Sequence, residues 1–190
     1  MGRTKENGED CLFRLYNPVL VLPWIIGMAA ISFPLFYNWD RWTLWWQCLF
    51  WALLLFPALE DWRTGYISDG WSLALGIGAV LYHWGMGTIE GAWGGLLAGV
   101  LLWMVLRLYP RGIGEGDLWL GAAIGTWLSG WEAIVFLWLA FVLGSAAGVW
   151  HLFLGGGLKD EMPFGPFLCL SGIVTHLVGK DVLVWYGSFF

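Results

Sequence analysis

The chain has 190 residues, of which 59% are hydrophobic and only 12% are charged, and its formal net charge at pH 7 is −5. An ordinary soluble domain carries about 25% charged residues, so this chain has too few polar side chains to cover the surface of a soluble globular protein. The composition therefore excludes that class and indicates a protein embedded in lipid.

Seven apolar runs with few or no charged residues follow one another along the chain. A helix needs about 20 apolar residues to cross the hydrocarbon, and in lipid only helices or closed barrels satisfy every backbone group. The runs lack the alternating pattern of a membrane barrel. We therefore predict an all-α bundle of about seven transmembrane helices over residues 15–190, after a polar segment at 1–14. The predicted spans lie at about 17–37, 43–59, 70–86, 89–109, 117–129, 131–154 and 164–186, and the fifth is the shortest.

The distribution of Lys and Arg gives the predicted bundle a direction. If the N-terminus is cytoplasmic, seven of the nine Lys and Arg residues fall in cytoplasmic segments. The positive-inside rule then predicts a cytoplasmic N-terminus and a C-terminus outside. The three longest and most polar connections, at 60–69, 107–117 and 155–163, would all lie at the cytoplasmic face.

Two aspartates stand at the edges of predicted spans. Asp61 lies just after the second span, where the chain reaches the cytoplasmic face, and Asp117 opens the fifth directly after a glycine-rich turn that permits close backbone approach. Ionisable groups at the margin of the hydrocarbon are costly and suggest function. In one interpretation Asp117 only caps a helix and Asp61 is only a loop charge. In the other, the two carboxyls lie close together, share a proton and activate water for peptide hydrolysis. Their spacing leaves both interpretations open.

Three motifs in a fixed order resemble one known family. GEGD at 114–117 matches the GxGD signature of intramembrane aspartyl proteases, and its surroundings resemble the type IV prepilin peptidases. DWRTGYISD at 61–69 resembles that family's D-x-R-x-x-x-I-P-D/N element, and MPFGPFL at 162–168 resembles its M-P-F-G-P-F element. The resemblance covers roughly residues 45–185. It implies a six-helix GxGD protease core, to which this chain would add one N-terminal span.

The resemblance implies a function and a set of site residues. The chain would be an aspartic endopeptidase that removes the short basic leader from prepilin or pseudopilin precursors, for pilus assembly or secretion, in the inner membrane of a prokaryote. Its partners would be the precursor helix and the bilayer, and we expect no metal, cofactor or nucleic acid. The catalytic residues would be Asp61 and Asp117, and the site would be shaped by Gly114, Glu115, Gly116, Asp69, Pro163, Gly165 and Pro166. We expect Asp69 to cap the third span.

Some positions depart from the family pattern. Ser68 stands where the family usually has Pro, Glu60 stands where an apolar residue is usual, and Leu118-Trp119 replaces Val-Lys. No region with paired CxxC motifs is present, which predicts a short peptidase without the methyltransferase region. An alternative from a different class is a transporter subunit that binds ions or protons at the same two aspartates. The ordered trio of motifs favours the protease.

Overall fold

A computed structural model describes residues 41–109, 113–128, 130–157 and 162–189. The chain divides into two compact units, Met1–Trp45 and Trp46–Phe190. Apart from residues 41–45 at the start of the first described helix, the features described below belong to the second unit. The polar segment predicted at 1–14 and the first predicted span, 17–37, lie outside the described residues.

Over the described ranges the regular secondary structure consists of six α-helices without a strand, which confirms the all-α prediction. Each helix coincides with one of the second to seventh predicted spans, usually to within one or two residues at each end. The largest difference is at the end of the first helix, which continues for five residues beyond the predicted boundary and includes Asp61. The helices are α1 Arg41–Thr64, α2 Asp69–Met86, α3 Glu90–Leu108, α4 Glu115–Trp127, α5 Glu132–Phe153 and α6 Gly165–Gly187.

Three of these helices have the length and hydropathy to cross a membrane: Gly91–Leu108 within α3, Glu132–Phe153 and Gly165–Gly187. Helix α4 has only 13 residues. At about 1.5 Å per residue it is about 20 Å long, whereas the hydrocarbon is about 30 Å thick. The predicted count of seven crossings is therefore not confirmed by the described part of the chain.

Helix α4 is nevertheless the centre of the bundle, where it contacts α2, α3 and α6. Seven of its 13 residues are buried, and four of these are Gly, Ala or Asp, so its neighbours approach its backbone closely. At its end, Trp127 packs against Phe50 and Tyr82 with ring centroids 4.9 and 5.4 Å apart. The indole Nε1 of Trp127 donates a hydrogen bond to the carbonyl oxygen of Leu75 at 2.9 Å. More than half of the residues of this segment are therefore buried against other helices.

Small residues allow α3 and α4 to approach each other closely. A Cβ added to Gly94 would contact the carbonyl oxygens of Gly125 and Leu128. A Cβ added to Gly125 would lie 2.7 Å from the Cβ of Ala98.

Gly94→Ala is expected to lower the free energy of unfolding by about 1–3 kcal/mol, because α3 must move away from α4 to admit the methyl group. Thermal unfolding in detergent measures this effect. Gly76→Ala in α2 is the matched control, since a Cβ there meets nothing within 4 Å. Equal melting temperatures for the two variants would contradict the close α3–α4 packing.

Candidate active site

Asp61 lies in the last turn of α1 and is 4% exposed. Its Oδ2 accepts a hydrogen bond of 2.7 Å from the backbone N–H of Gly165, the first residue of α6. The helix ends directly afterwards, because Gly65 adopts a φ of 65° and donates its N–H to the carbonyl oxygen of Asp61 at 2.8 Å. The side chain of Asp61 is therefore fixed by a segment 104 residues away in the sequence.

Asp117 is the third residue of α4 and is 8% exposed. Its Oδ2 accepts a hydrogen bond of 3.1 Å from the N–H of Gly114, the N-cap residue. That contact is one half of a capping box, so the capping interpretation of Asp117 is correct for this oxygen. Its Oδ1 is buried and has no hydrogen-bond partner in the described part of the chain. Capping leaves that oxygen unexplained, and such a buried polar atom calls for a role of its own.

The environment of both carboxyls favours their protonated forms. Both lie outside the three helices that are long and apolar enough to cross a membrane. Burial raises the pKa of Asp117 from 3.8 to about 6; the Gly114 N–H opposes this, and the charge of Asp61 adds to it. Burial also raises the pKa of Asp61, with the Gly165 N–H opposing and the charge of Glu60 adding. The effect of Asp61 on Asp117 is the electrostatic relation expected of two neighbouring carboxyls.

The raised pKa of Asp117 predicts how stability changes with pH. The pKa of Asp117 is 3.8 ordinarily and about 6 in the folded protein. Between these two pH values the folded state binds more protons than the unfolded state, so the contribution of Asp117 to the free energy of unfolding falls as the pH rises. Asp117→Asn should therefore melt at a higher temperature than the wild type at pH 7. That difference should shrink as the pH falls through about 6 and vanish near pH 4. Melting curves of both proteins over this range would contradict the prediction if their difference did not depend on pH.

Ile67 joins the segments that hold the two aspartates. It is 3% exposed. Its Cβ and carbonyl oxygen are each 3.3 Å from the position of a Cβ added to Gly116, and its Cδ1 is 2.9 Å from that of a Cβ added to Gly165. The predicted close approach at the glycine-rich turn is thus confirmed at Gly116. Positive φ is not the reason, because the described glycines with positive φ are Gly65, Gly87 and Gly155.

The MPFGPF segment supplies the hydrogen bond to Asp61. Pro163 is half-buried in the non-helical stretch before α6. Pro166 occupies the first turn of α6, where a helix does not need its N–H. Gly165 keeps its N–H, which no carbonyl within the helix can accept, and this N–H points to Asp61. A carboxylate at a helix N-terminus is also favoured by the helix dipole.

Two further predicted site residues lie at the periphery. Glu115 is the first residue of α4 and is exposed. Asp69 is exposed and is the first residue of α2, whereas the N-cap position is Ser68. The prediction that Asp69 caps this helix is therefore wrong by one residue, because the chain remains extended through Ser68.

The roles of two residues in this region, Glu60 and Ile67, were not predicted from the sequence. Glu60 accepts a hydrogen bond at Oε2 from the backbone N–H of Ser68 at 3.2 Å, and so two positions that depart from the family pattern contact each other. A proline at position 68 would have no N–H to donate. Nothing in the sequence indicated the role of Ile67 except its place in the DWRTGYISD motif at 61–69. Over the described ranges, no three His, Cys, Asp or Glu side chains are grouped to hold a metal ion.

Comparison with known proteins identifies the family. A family model described as the type IV leader peptidase family matches residues 48–149, more than half of the chain and inclusive of both aspartates. The chain belongs to the type IV leader peptidase family. No solved structure matches it.

Several curated members of this family share sequence with the chain, and each is a prepilin leader peptidase/N-methyltransferase. The protein from Burkholderia pseudomallei is 38% identical over 147 residues, which cover 72% of this chain and 47% of the relative. The protein from Aeromonas hydrophila is 29% identical over 179 residues, covering 89% of this chain and 60% of the relative. The chain spans about half the length of the first of these type IV leader peptidases.

Proposed function

We propose that this protein is a membrane-embedded aspartic endopeptidase that removes the leader from prepilin or pseudopilin precursors, with Asp61 and Asp117 as its catalytic pair. The observation that carries the proposal is the buried Oδ1 of Asp117, which lacks a hydrogen-bond partner in the described chain and whose carboxyl lies within electrostatic reach of the buried Asp61. Membership of the type IV leader peptidase family supports the reaction. The names of the relatives support the substrate class.

The hydrogen bonds suggest how the pair would work. Each aspartate is held through Oδ2 by one backbone N–H, that of Gly165 for Asp61 and that of Gly114 for Asp117. This leaves the other oxygen of each carboxyl for proton transfer. An ionised member would take a proton from water as the water oxygen attacks the peptide carbonyl carbon, while the protonated member donates to the carbonyl oxygen. A proton then passes to the amine nitrogen as the C–N bond breaks. The pair titrates as a unit, so we assign the base to neither residue.

The proposed enzyme would act at the cytoplasmic face of a prokaryotic inner membrane, with a cytoplasmic N-terminus and a C-terminus outside. Three helices suited to crossing a membrane support the setting. The end of α1 and the beginnings of α4 and α6 meet around Asp61, Ile67 and Gly116, which supports a single catalytic face. Exposed Glu115 near this face would attract a basic leader.

The proposal is tested by cleavage of a purified precursor that carries a short basic leader followed by an apolar helix. We expect the wild-type protein in detergent to release the leader, with the new N-terminus defined by mass spectrometry. A protein in which both Asp61 and Asp117 are replaced by Asn provides the background. An intact precursor after prolonged incubation with folded wild-type protein, or equal cleavage by the double variant, would refute the proposed function.

A further inference from the structure

The loop between α1 and α2 is folded tightly back onto the end of α1. The hydroxyl of Thr64 lies 2.8 Å from the carbonyl oxygen of Glu60 and accepts the N–H of Tyr66 at 3.2 Å. The N–H of Ser68 reaches the carboxylate of Glu60. These bonds hold the loop at both of its ends, and Ile67 is its buried side chain. The loop therefore presents Ile67 in a fixed position.

Ile67 contacts one residue associated with each aspartate. Its Cδ1 faces Gly165, whose N–H holds Asp61. Its Cβ and backbone face Gly116, which precedes Asp117 in α4. A Cβ on either glycine would lie closer to Ile67 than ordinary van der Waals contact allows. The side chain thus lies between Gly116 in the first turn of α4 and Gly165 in the first turn of α6. No other residue of the loop is buried to this degree.

We propose that Ile67 is a positioning residue that sets the distance between the carboxyls of Asp61 and Asp117 and keeps water out of the space beside them. This inference rests on the proposed function, because the distance matters only if the two carboxyls act together. Ile67 acts through its neighbours, Gly165 and Gly116, and takes no part in proton transfer. Its burial also means that it does not bind the precursor, so kcat and not KM should depend on it.

The test uses two substitutions of graded size. Ile67→Val removes the Cδ1 that faces Gly165 and keeps the Cβ that faces Gly116, whereas Ile67→Ala also removes both Cγ atoms. Misplacement of catalytic groups by about 1 Å can cost about 100-fold in rate. We therefore expect kcat to fall by about 100-fold for Ala and by about threefold for Val, with KM nearly constant. The alkaline limb of the kcat profile should move to lower pH, because water that reaches Asp61 and Asp117 weakens the desolvation that raises their pKa values.

Leu75→Ala is the matched control, because Leu75 is 0% exposed and lies beside Trp127 at the opposite end of α4 from Asp117. It should lower the melting temperature about as much as Ile67→Ala, while kcat per folded molecule and the pH profile stay unchanged. An Ile67→Ala variant that behaves like Leu75→Ala would overturn the inference. If Ile67→Ala does not fold, a pH profile of Ile67→Val identical to that of the wild type has the same consequence.

A second readout separates this inference from the proposed function. Infrared titration follows the protonated carboxyl band that is lost in Asp117→Asn, and it does not require cleavage. We expect this band to titrate at lower pH in both Ile67 variants than in the wild type. A wild-type protein that leaves precursors intact would refute the proposed function. The infrared titration would still show whether Ile67 changes the environment of the carboxyls. Identical titrations in active wild type and in Ile67→Ala would refute the positioning alone.

Discussion

Asp61→Asn and Asp117→Asn are each expected to lower kcat for leader cleavage by about 1000-fold or more, since positioned proton transfer contributes up to about four orders of magnitude. Neither asparagine can take a proton from water or hold the shared proton. The two losses should not add, because removal of either member already disables the pair. The measurement is kcat for the purified single and double variants on the same precursor, normalised to folded protein.

These substitutions preserve the structure around each site. An asparagine oxygen can still accept the Gly165 N–H at position 61 or the Gly114 N–H at position 117, the two bonds that hold the native side chains. A neutral amide also avoids the cost of a buried charge. Both variants should therefore melt at or above the wild-type temperature at neutral pH, which distinguishes lost chemistry from lost folding.

Asp181→Asn is the matched control, since Asp181 is an exposed aspartate on α6. It makes the same chemical change on the surface and should leave kcat unaltered. Activity within about tenfold of the wild type in either single variant at 61 or 117 would be too high for an essential proton-transfer group. Such a result would disprove the catalytic pair while leaving the family membership intact.

Helix positions were predictable because charged and glycine-rich segments interrupt the apolar runs. Helix α5 spans Glu132–Phe153, against a predicted 131–154. The end of α1 was predicted too early, because hydropathy reports which solvent a side chain prefers and not whether its backbone is helical. Glu60, Asp61 and Arg63 remain helical up to Thr64.

The number of membrane crossings was harder to predict, for a reason visible in α4. Residues such as Leu120, Ile124 and Trp127 are apolar because they pack against other helices, with exposures of 3% or less. A hydropathy profile cannot distinguish burial in protein from burial in lipid. A run of 13 helical residues therefore resembles a short transmembrane span.

The candidate site was only partly readable from the sequence. Asp61 and Asp117 are evident because their motifs are specific and ordered. The contact of Asp61 with Gly165 joins residues 104 positions apart, and it depends on how α1 and α6 pack, which no local pattern encodes. The position of Ile67 between Gly116 and Gly165 is likewise a tertiary feature. The two interpretations of Asp117 were in fact compatible, since one oxygen caps α4 and the other has no partner in the described chain.

Gly165→Ala is expected to reduce kcat by about 100-fold although it alters neither aspartate, because misplacing a catalytic group by about 1 Å has an effect of this size. A Cβ at position 165 would lie 2.7 Å from Oδ2 of Asp61 and 2.9 Å from Cδ1 of Ile67. Atoms at these distances must separate. The Asp61 carboxyl would then lose the Gly165 N–H and turn away from its present position.

Gly148→Ala in α5 provides the comparison, since a Cβ there meets nothing within 4 Å. It should leave activity unchanged and, within a helix, stabilise by about 0.5–1 kcal/mol. Gly165→Ala should lower the free energy of unfolding by about 1–3 kcal/mol, the usual cost of inserting a methyl group into a packed site. Most molecules would remain folded after this loss, so it would not explain a 100-fold lower kcat per folded molecule. If Gly165→Ala instead lost activity only in proportion to its unfolded fraction, the N–H of Gly165 would stabilise the bundle without orienting Asp61 for catalysis.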